Sequence, residues 1–310
     1  MILVGVTGGI ATGKSSAIRL LSELTGWPVV DTDAISHAIT APNAPILGRI
    51  ERSFPGHALV HERGDPAAAG GAPQQRVLDR AALGRLIFQD PAARSLLGRV
   101  MQPAIRLRTA AGAARAAAAG APVCLLDVPL LFEGNLDAWC HVSVLIDCSD
   151  KVQLQRLLFR GLSSAGTGAP LAHEHACYST VDPAAFPAGD VEQALNRIGS
   201  QMPLSQKRTR ATYILPNELP GQENLRQQVL LFLGLLCRDF GLRPASVLPA
   251  AVAVALPAAD APAAGQLRGP VSPPGHGALA HAAGRVLGAV LFLPLLAMAA
   301  AWERLPWAVG

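Results

Sequence analysis

The feature that most constrains the fold of this chain is an eight-residue motif close to its start. Residues 8–15, Gly-Gly-Ile-Ala-Thr-Gly-Lys-Ser, match the pattern G-x-x-x-x-G-K-[ST]. The motif lies between a strand-like apolar run and a helical pattern, which is the context that phosphate binding requires. Backbone amides then surround phosphate oxygens, Lys14 reaches the β and γ phosphates, and Ser15 ligates Mg²⁺. The motif therefore predicts binding of ATP or GTP.

The rest of the sequence alternates short apolar runs with longer helical patterns. The apolar runs cover residues 2–7, 28–31, 123–128 and 142–146, and the helical stretches cover 14–24, 80–88 and 91–119. Short runs rich in β-branched residues or leucine, bounded by polar residues, are typical of buried parallel strands. We therefore predict an α/β fold with a parallel sheet.

Several segments depart from this pattern. Residues 64–75 and 163–189 are rich in Gly and Pro and are predicted to be surface insertions. Residues 239–284 are rich in Ala, Pro and Gly, so we predict a disordered linker. Residues 286–302 carry no charge but contain Pro294, which leaves three interpretations of the C-terminal segment 285–310 open: a membrane anchor, a docking helix or an apolar tail.

Composition narrows the possible partners and location. The net charge is +4 without a long Lys/Arg run, so we predict no nucleic-acid partner. The five cysteines form no C-x-x-C pair, which favours a reducing compartment. Because the motif begins at Gly8, there is no room for a cleavable signal peptide, and we predict a cytoplasmic protein, with tail anchoring to a membrane facing the cytosol left open. Oligomeric state is not indicated.

A candidate acceptor site follows the second apolar run, at Asp31-Thr32-Asp33. Strands of a parallel sheet end at one crevice, so Asp33 is expected near the γ-phosphate, where a carboxylate accepts a hydroxyl proton. The alternative is that Asp33 is only the N-cap of a helix over residues 34–39. For Asp31 the spacing favours capping or a water-mediated Mg²⁺ contact.

Six blocks together resemble the dephospho-CoA kinase family over about residues 1–235. They are residues 3–16, 29–33, 78–83, 127–133 (Asp-Val-Pro-Leu-Leu-Phe-Glu), 154–160, and 197–203 (Arg-Ile-Gly-Ser-Gln-Met-Pro) with Lys207 after it. The resemblance implies a P-loop kinase core with a five-stranded parallel sheet flanked by helices, and helical acceptor-binding and lid regions. It places the kinase domain at residues 1–238, with a lid at about 151–203 that contains the insertion 163–189.

The resemblance also implies an activity, in which the γ-phosphate of ATP moves to the ribose 3′-hydroxyl of 3′-dephospho-CoA. Asp33 then acts as the catalytic base beside Lys14, and Asn217 lies near adenine. Asp127 closes an apolar run, so it is expected to hold Mg²⁺ together with Ser15, whereas the resemblance implies that its block also shapes the acceptor pocket. The residues implied in ATP binding are Gly8, Gly9, Ala11, Thr12, Gly13, Lys14, Ser15, Ser16 and the lid arginines Arg156, Arg160 and Arg197. Structural salt bridges are the alternative role of each arginine.

Some positions depart from the family pattern. Ala11 stands where the family usually has Gly, Gln102-Pro103 replaces His-Pro, and Asn217-Glu218-Leu219 replaces an Asp-Asn-Ser-Gly-like ending. The insertion contains His173, His175 and Cys177, but a lengthened lid is the preferred interpretation over a metal site. Two other functions stay open: a P-loop kinase with a different small acceptor, and a nucleotide-binding, membrane-associated switch or scaffold without turnover.

Overall fold

The computed structural model describes residues 1–63, 75–164, 183–219, 221–257, 267–269 and 271. These residues form two compact units. Unit 1 contains the described residues of Met1–Val30 and Ala116–Ala283, and unit 2 contains those of Asp31–Arg115. The phosphate-binding motif belongs to unit 1, and Asp33 belongs to unit 2.

The regular elements lie where the apolar and helical patterns predicted them, with further elements in between. The strands are β1 (Ile2–Gly8), β2 (Val29–Asp31), β3 (Val60–Arg63), β4 (Gln75–Leu78), β5 (Val123–Asp127), β6 (Val142–Asp147) and β7 (Tyr213–Pro216). The α-helices are α1 (Lys14–Thr25), α2 (Thr32–Ile39), α3 (Ile46–Ser53), α4 (Arg80–Gln89), α5 (Pro91–Ala118), α6 (Asp150–Ser164), α7 (Ala188–Gly199), α8 (Leu204–Arg210), α9 (Gln222–Asp239), α10 (Pro244–Val247) and α11 (Ala250–Ala255).

Five strands form one sheet in the order β2-β5-β1-β6-β7. Strand β1 pairs in parallel with β5 on one side and β6 on the other, and β6 pairs in parallel with β7. Every residue of β1 is buried, as expected for a central strand covered on both faces. In the register, Val6 lies beside Asp127 and Gly8 lies beside Ile146. The end of β1, where the phosphate-binding motif starts, is therefore next to the carboxyl end of β5.

Helices α1 and α9 supply much of the apolar cover of this sheet. Leu21 on α1 and Phe232 and Leu236 on α9 are fully buried in the same cluster as the inward residues of β1 and β6. The indole N–H of Trp27 donates to the carbonyl of Val247 at 3.0 Å. Residues from both ends of the described chain therefore build one core.

The segment after α9 corrects one sequence prediction. Leu248, directly after α10, is buried in the core of unit 1, and so is Val252 on α11. Further along, the amide of Ile214 donates to the carbonyl of Leu267 at 2.7 Å, and Arg268 bridges Tyr213 in antiparallel sense. The prediction of disorder is therefore wrong for 244–257 and 267–269, because buried apolar side chains and pairing with an edge strand order a segment of simple composition. The rest of the predicted linker lies outside the described residues.

Unit 2 combines helices α2 to α4, most of α5, and an antiparallel pair formed by β3 and β4. Its core contains Leu47 and Ile50 of α3, which are fully buried, together with Leu59 and Leu83. Asp79 is the N-cap of helix α4, and its carboxylate accepts the amide hydrogen of Ala82 at 2.8 Å. That hydrogen bond lowers the pKa of Asp79.

Three segments singled out in the sequence lie wholly or mostly outside the described residues. Within the described ranges, no helix combines the length and the apolar character needed to cross a bilayer. The C-terminal segment 285–310 lies outside those ranges, so its membrane contact stays a prediction. Residues 64–74 and 165–182, which include His173, His175 and Cys177, also lie outside the described ranges. Their assignment as surface insertions therefore stays a prediction.

Candidate active site

The motif at residues 8–15 forms a tight loop between β1 and α1. The amide and the hydroxyl of Thr12 both donate to the carbonyl of Gly9, at 3.3 Å and 2.9 Å. Gly13 adopts φ 95°, a left-handed conformation, and is the N-cap of α1. A glycine cap has no side chain to accept the first-turn amides of the helix. Those amides and the positive end of the helix dipole are therefore available to phosphate oxygens.

Ala11, which stands where the family usually has Gly, has a backbone conformation that favours glycine. It adopts φ 61°, in the left-handed region where a Cβ atom is unfavourable. Its methyl group is buried and belongs to a small apolar cluster with Leu157 and Leu158 of α6 and Ala194 of α7. The packing of this methyl group offsets part of the backbone cost. It also connects the loop to the two helices that flank the predicted lid insertion.

Lys14 pairs with Asp127 across the loop. The ammonium of Lys14 and the carboxylate of Asp127 form an ion pair in which both side chains are mostly buried. Asp127 ends β5, next to Val6 of β1. The lysine and the carboxylate predicted to hold Mg²⁺ are thus brought together, while Ser15 and Ser16 are exposed in the first turn of α1.

Oxygen donors of this kind suit Mg²⁺. Asp127 supplies a carboxylate and Ser15 a hydroxyl, which are hard ligands, and Mg²⁺ is commonly held by one or two such groups together with substrate phosphates. The ion pair with Lys14 places the Asp127 carboxylate beside the phosphate-binding residues. In the described part of the chain, no group of three or more His, Cys, Asp or Glu residues is arranged to hold a metal.

Side chains from distant elements fix the loop backbone. Both backbone polar groups of Ile10 are hydrogen-bonded to side chains. Its amide donates to Gln201 at 3.0 Å, and its carbonyl accepts from Gln153 at 2.9 Å. The carbonyl of Thr12 accepts from the amide of Asn217 at 2.8 Å. Asn217, which the resemblance placed near adenine, therefore supports the loop directly. A Cβ atom on Gly13 would lie 2.2 Å from this amide nitrogen, so only glycine fits there.

Sequence reasoning missed the role of Gln153. No local pattern marked it, because its 3% exposure on α6 is a property of the folded chain. Gln201 was part of a recognised block, but its partner was not predictable. Both glutamine side chains bond the backbone of the same loop residue, Ile10.

The three predicted lid arginines are placed differently. Arg156 on α6 is partly buried, and its guanidinium donates to the carbonyl of Thr12 at 3.4 Å. Arg160 lies one turn further along α6 and is exposed. Arg197 is exposed in the last turn of α7. The structure thus brings Arg156 to the loop, and the roles of Arg160 and Arg197 in nucleotide binding stay predictions.

In unit 2, Asp31 at the end of β2 and Asp33 at the start of α2 have different surroundings. Asp31 is the N-cap of α2, and its side chain accepts the amides of Asp33 and Ala34 at 2.8 Å and 3.0 Å. The helix therefore begins at Thr32 rather than Ala34, and Asp33 is not its cap. Of the two roles predicted for Asp31, capping is confirmed, and the water-mediated Mg²⁺ contact stays a prediction. The carboxylate of Asp33 is exposed in the first turn of α2.

A buried lysine joins the motif blocks of unit 1. Lys207 on α8 is 0% exposed, and its ammonium donates to the carbonyls of Gly8 at 3.3 Å and Pro129 at 3.0 Å. It also pairs with Glu133 at 3.1 Å. Burial lowers the pKa of Lys207, and the neighbouring Glu133 carboxylate opposes that shift.

Comparison with known proteins gives a consistent result. The family model described as "CoaE: Dephospho-CoA kinase" matches residues 2–173. The dephospho-CoA kinase of Parasynechococcus marenigrum is 36% identical over 215 residues, which is 69% of this chain and 86% of that protein. The dephospho-CoA kinase CAB5 of Saccharomyces cerevisiae is 32% identical over 70% of this chain and 76% of its own length.

A solved structure agrees with the fold. The crystal structure of TT1252 from Thermus thermophilus covers 74% of this chain and 94% of its own, with 28% identity and a TM-score of 0.51. The matched family region contains the phosphate-binding loop, Asp33, Asp127 and the Pro-Leu-Leu-Phe-Glu block. The chain therefore belongs to the dephospho-CoA kinase family.

Proposed function

We propose that this chain transfers the γ-phosphate of ATP to the ribose 3′-hydroxyl of 3′-dephospho-CoA, the final step of coenzyme A synthesis. The observation that carries the proposal is membership of the dephospho-CoA kinase family over residues 2–173. The loop geometry supports it, because Lys14 lies at the N-terminus of α1 beside the Asp127 carboxylate. Family and loop therefore point to one reaction class.

In this reaction the acceptor hydroxyl oxygen forms a bond to the γ-phosphorus. The bond from that phosphorus to the β–γ bridging oxygen breaks, and ADP leaves. Asp33 takes the hydroxyl proton as the new bond forms, which is the role of a general base. Its exposed carboxylate in the first turn of α2 is accessible to an acceptor. Asp31 holds that turn through its capping hydrogen bonds.

The phosphates of ATP are held by the loop and by basic side chains. Residues proposed to contact them are Gly8, Gly9, Ala11, Thr12, Gly13, Lys14, Ser15, Ser16, Arg156, Arg160 and Arg197. In the proposed complex, Lys14 contacts the phosphate oxygens, next to the Asp127 carboxylate with which it pairs in the structure. Ser15 and Asp127 would then hold Mg²⁺, and the bound ion would offset phosphate charge.

The test is product formation by the full chain. Purified protein is incubated with ATP, Mg²⁺ and 3′-dephospho-CoA, and ADP and coenzyme A are both quantified, with an acceptor-free reaction as background. Asp33→Asn keeps the size of the side chain but removes its basicity, so kcat should fall by at least about 100-fold. Asp90→Asn is the matched control, because Asp90 is an exposed carboxylate that accepts the amide hydrogen of Ala92 at the start of α5.

The outcomes separate three interpretations. Coenzyme A formation that is lost in Asp33→Asn and kept in Asp90→Asn supports both the activity and the base. Equal activity of the two variants would remove Asp33 from the mechanism. ATP binding with no acceptor-dependent ADP would refute the kinase proposal itself.

A further inference from the structure

The buried ammonium of Lys207 occupies an unusual position for a charged group. All three of its hydrogens have an oxygen partner: the carbonyls of Gly8 and Pro129 and the carboxylate of Glu133. The side chain is 0% exposed, so it cannot touch a substrate in this state. A buried charge is costly unless it is fully paired, and structures retain such a group where it fixes one arrangement.

The partners of Lys207 come from two separate segments of unit 1. Gly8 is the first residue of the phosphate-binding loop, and Pro129 and Glu133 belong to the Pro-Leu-Leu-Phe-Glu block after β5. Glu133 also accepts the amide hydrogen of Met202 at 3.0 Å, in the connection before α8. The hydroxyl of Thr7 donates to the same Pro129 carbonyl at 3.0 Å. One lysine and one glutamate thus tie the three segments together.

The packing around this junction leaves little freedom for rearrangement. A Cβ atom on Gly9 would lie 2.5 Å from the side-chain nitrogen of Gln153 and 3.3 Å from Leu204 of α8. The next residue, Ile10, is bonded through its amide to Gln201, which directly precedes Met202. A displacement of α8 would therefore move the loop.

We propose that Lys207 and Glu133 are positioning residues for phosphoryl transfer, which hold the start of the phosphate-binding loop and residues 129–133 in one relative arrangement. The proposal rests on the proposed function, because the arrangement is useful only if ATP and an acceptor meet there. Phosphoryl transfer depends mostly on positioning and charge stabilisation, and a misplacement of about 1 Å costs about 100-fold in rate. The pair therefore acts on kcat through the loops that it joins.

The experiment compares two variants of different severity in the full chain. Lys207→Met removes the ammonium and leaves Glu133 buried without its cation, so kcat should fall about 100-fold. Glu133→Gln keeps an oxygen for Met202 and Lys207 but removes the charge, so a decrease of about 10-fold is expected. Arg226→Met is the control, since Arg226 is an exposed cation on α9.

The readout must exclude a purely stabilising role. Thermal midpoints are measured first, and kcat and KM for ATP and 3′-dephospho-CoA are then determined at a temperature where each variant is fully folded. Positioning predicts that kcat falls while KM for ATP changes by less than about threefold, because most loop amides still face the phosphates. A lowered thermal midpoint with kcat within about twofold of wild type would overturn the proposal. If Lys207→Met does not fold, Glu133→Gln alone decides.

A failure of the proposed function is recognised separately. If the wild-type chain makes no coenzyme A, the kinase proposal has failed, and the positioning claim is judged by amide hydrogen exchange in the phosphate-binding loop. Faster exchange at Ile10 in Glu133→Gln, with no change in Arg226→Met, would support the tie between α8 and the loop. Unchanged exchange would refute it.

Discussion

The strained alanine of the phosphate-binding loop allows a quantitative test. Ala11 adopts φ 61°, which costs an alanine about 1–2 kcal/mol relative to the right-handed region. Ala11→Gly relieves that cost. Against this, glycine loses about 0.5–1 kcal/mol more conformational entropy on folding, and removal of the buried methyl group costs about 0.8 kcal/mol. The opposing contributions nearly cancel, so the free energy of unfolding should change by less than about 0.7 kcal/mol.

A second alanine of the same cluster provides the comparison. Ala194 is also 5% exposed, but it lies in the interior of α7, where the backbone is helical. Ala194→Gly removes an equivalent methyl group and adds the helix penalty of glycine, for a loss of about 2 kcal/mol. The two substitutions are chemically identical and differ mainly in backbone conformation. Their difference, about 2 kcal/mol, therefore measures the strain at Ala11.

Urea denaturation of both variants, followed by circular dichroism and by tryptophan fluorescence, gives the required free energies. Trp27 is 3% exposed in the core of unit 1, so its emission reports on the unit that contains the loop. Equal destabilisation by the two substitutions would refute the reasoning, because it would show that the left-handed conformation of Ala11 carries no cost. A large loss from Ala11→Gly alone would assign its role to packing.

Three further predictions concern the loop support, the edge segment and the cysteines. Asn217→Ala removes a hydrogen bond to the loop, so it should weaken ATP binding about fivefold, as measured by calorimetry. Asn196→Ala, on the exposed surface of α7, should leave the affinity unchanged. Equal affinities of the two variants would contradict the supporting role of Asn217. A Cβ atom on Gly269 would lie 2.0 Å from the carbonyl oxygen of Ala211, two residues before β7. Gly269→Ala should therefore displace residues 267–269 and speed amide hydrogen exchange at the edge of β7. Gly189→Ala is the control, because a Cβ atom there has no neighbour within 4 Å. Unchanged exchange would mean that residues 267–269 do not protect that edge. Burial raises the pKa of the four described cysteine thiols to about 11 or about 12. At pH 8 their alkylation in the folded protein should therefore be at least about 100-fold slower than in urea, by peptide mass spectrometry, and rapid labelling of any of them would disprove the assignment.

Local sequence patterns were sufficient for the sheet and for the position of the loop. Buried parallel strands need continuous apolar runs, and β1, β5 and β6 are such runs. The helix cap after β2 was less predictable. Both Asp31 and Asp33 are good cap residues, and only the observed start of α2 at Thr32 selects Asp31.

Composition was a poor guide for the segment after α9. An Ala/Pro-rich stretch has few large side chains, which favours disorder when it is considered alone. Leu248 and Val252 are nevertheless buried, because the sheet and helices of unit 1 offer them a complementary apolar surface. Whether that surface exists is a property of the folded core and not of the segment.

The phosphate-binding motif, the strand before it, the helix after it and the resemblance to the family could all be predicted, since they depend on residues that are neighbours in the chain. The contacts that hold the loop in place could be seen only in the folded molecule. Gln153 lies 143 residues from Ile10, and Lys207 lies 199 residues from Gly8. Hydrogen bonds over such separations form only after the sheet has brought their elements together, so local periodicity carries no record of them.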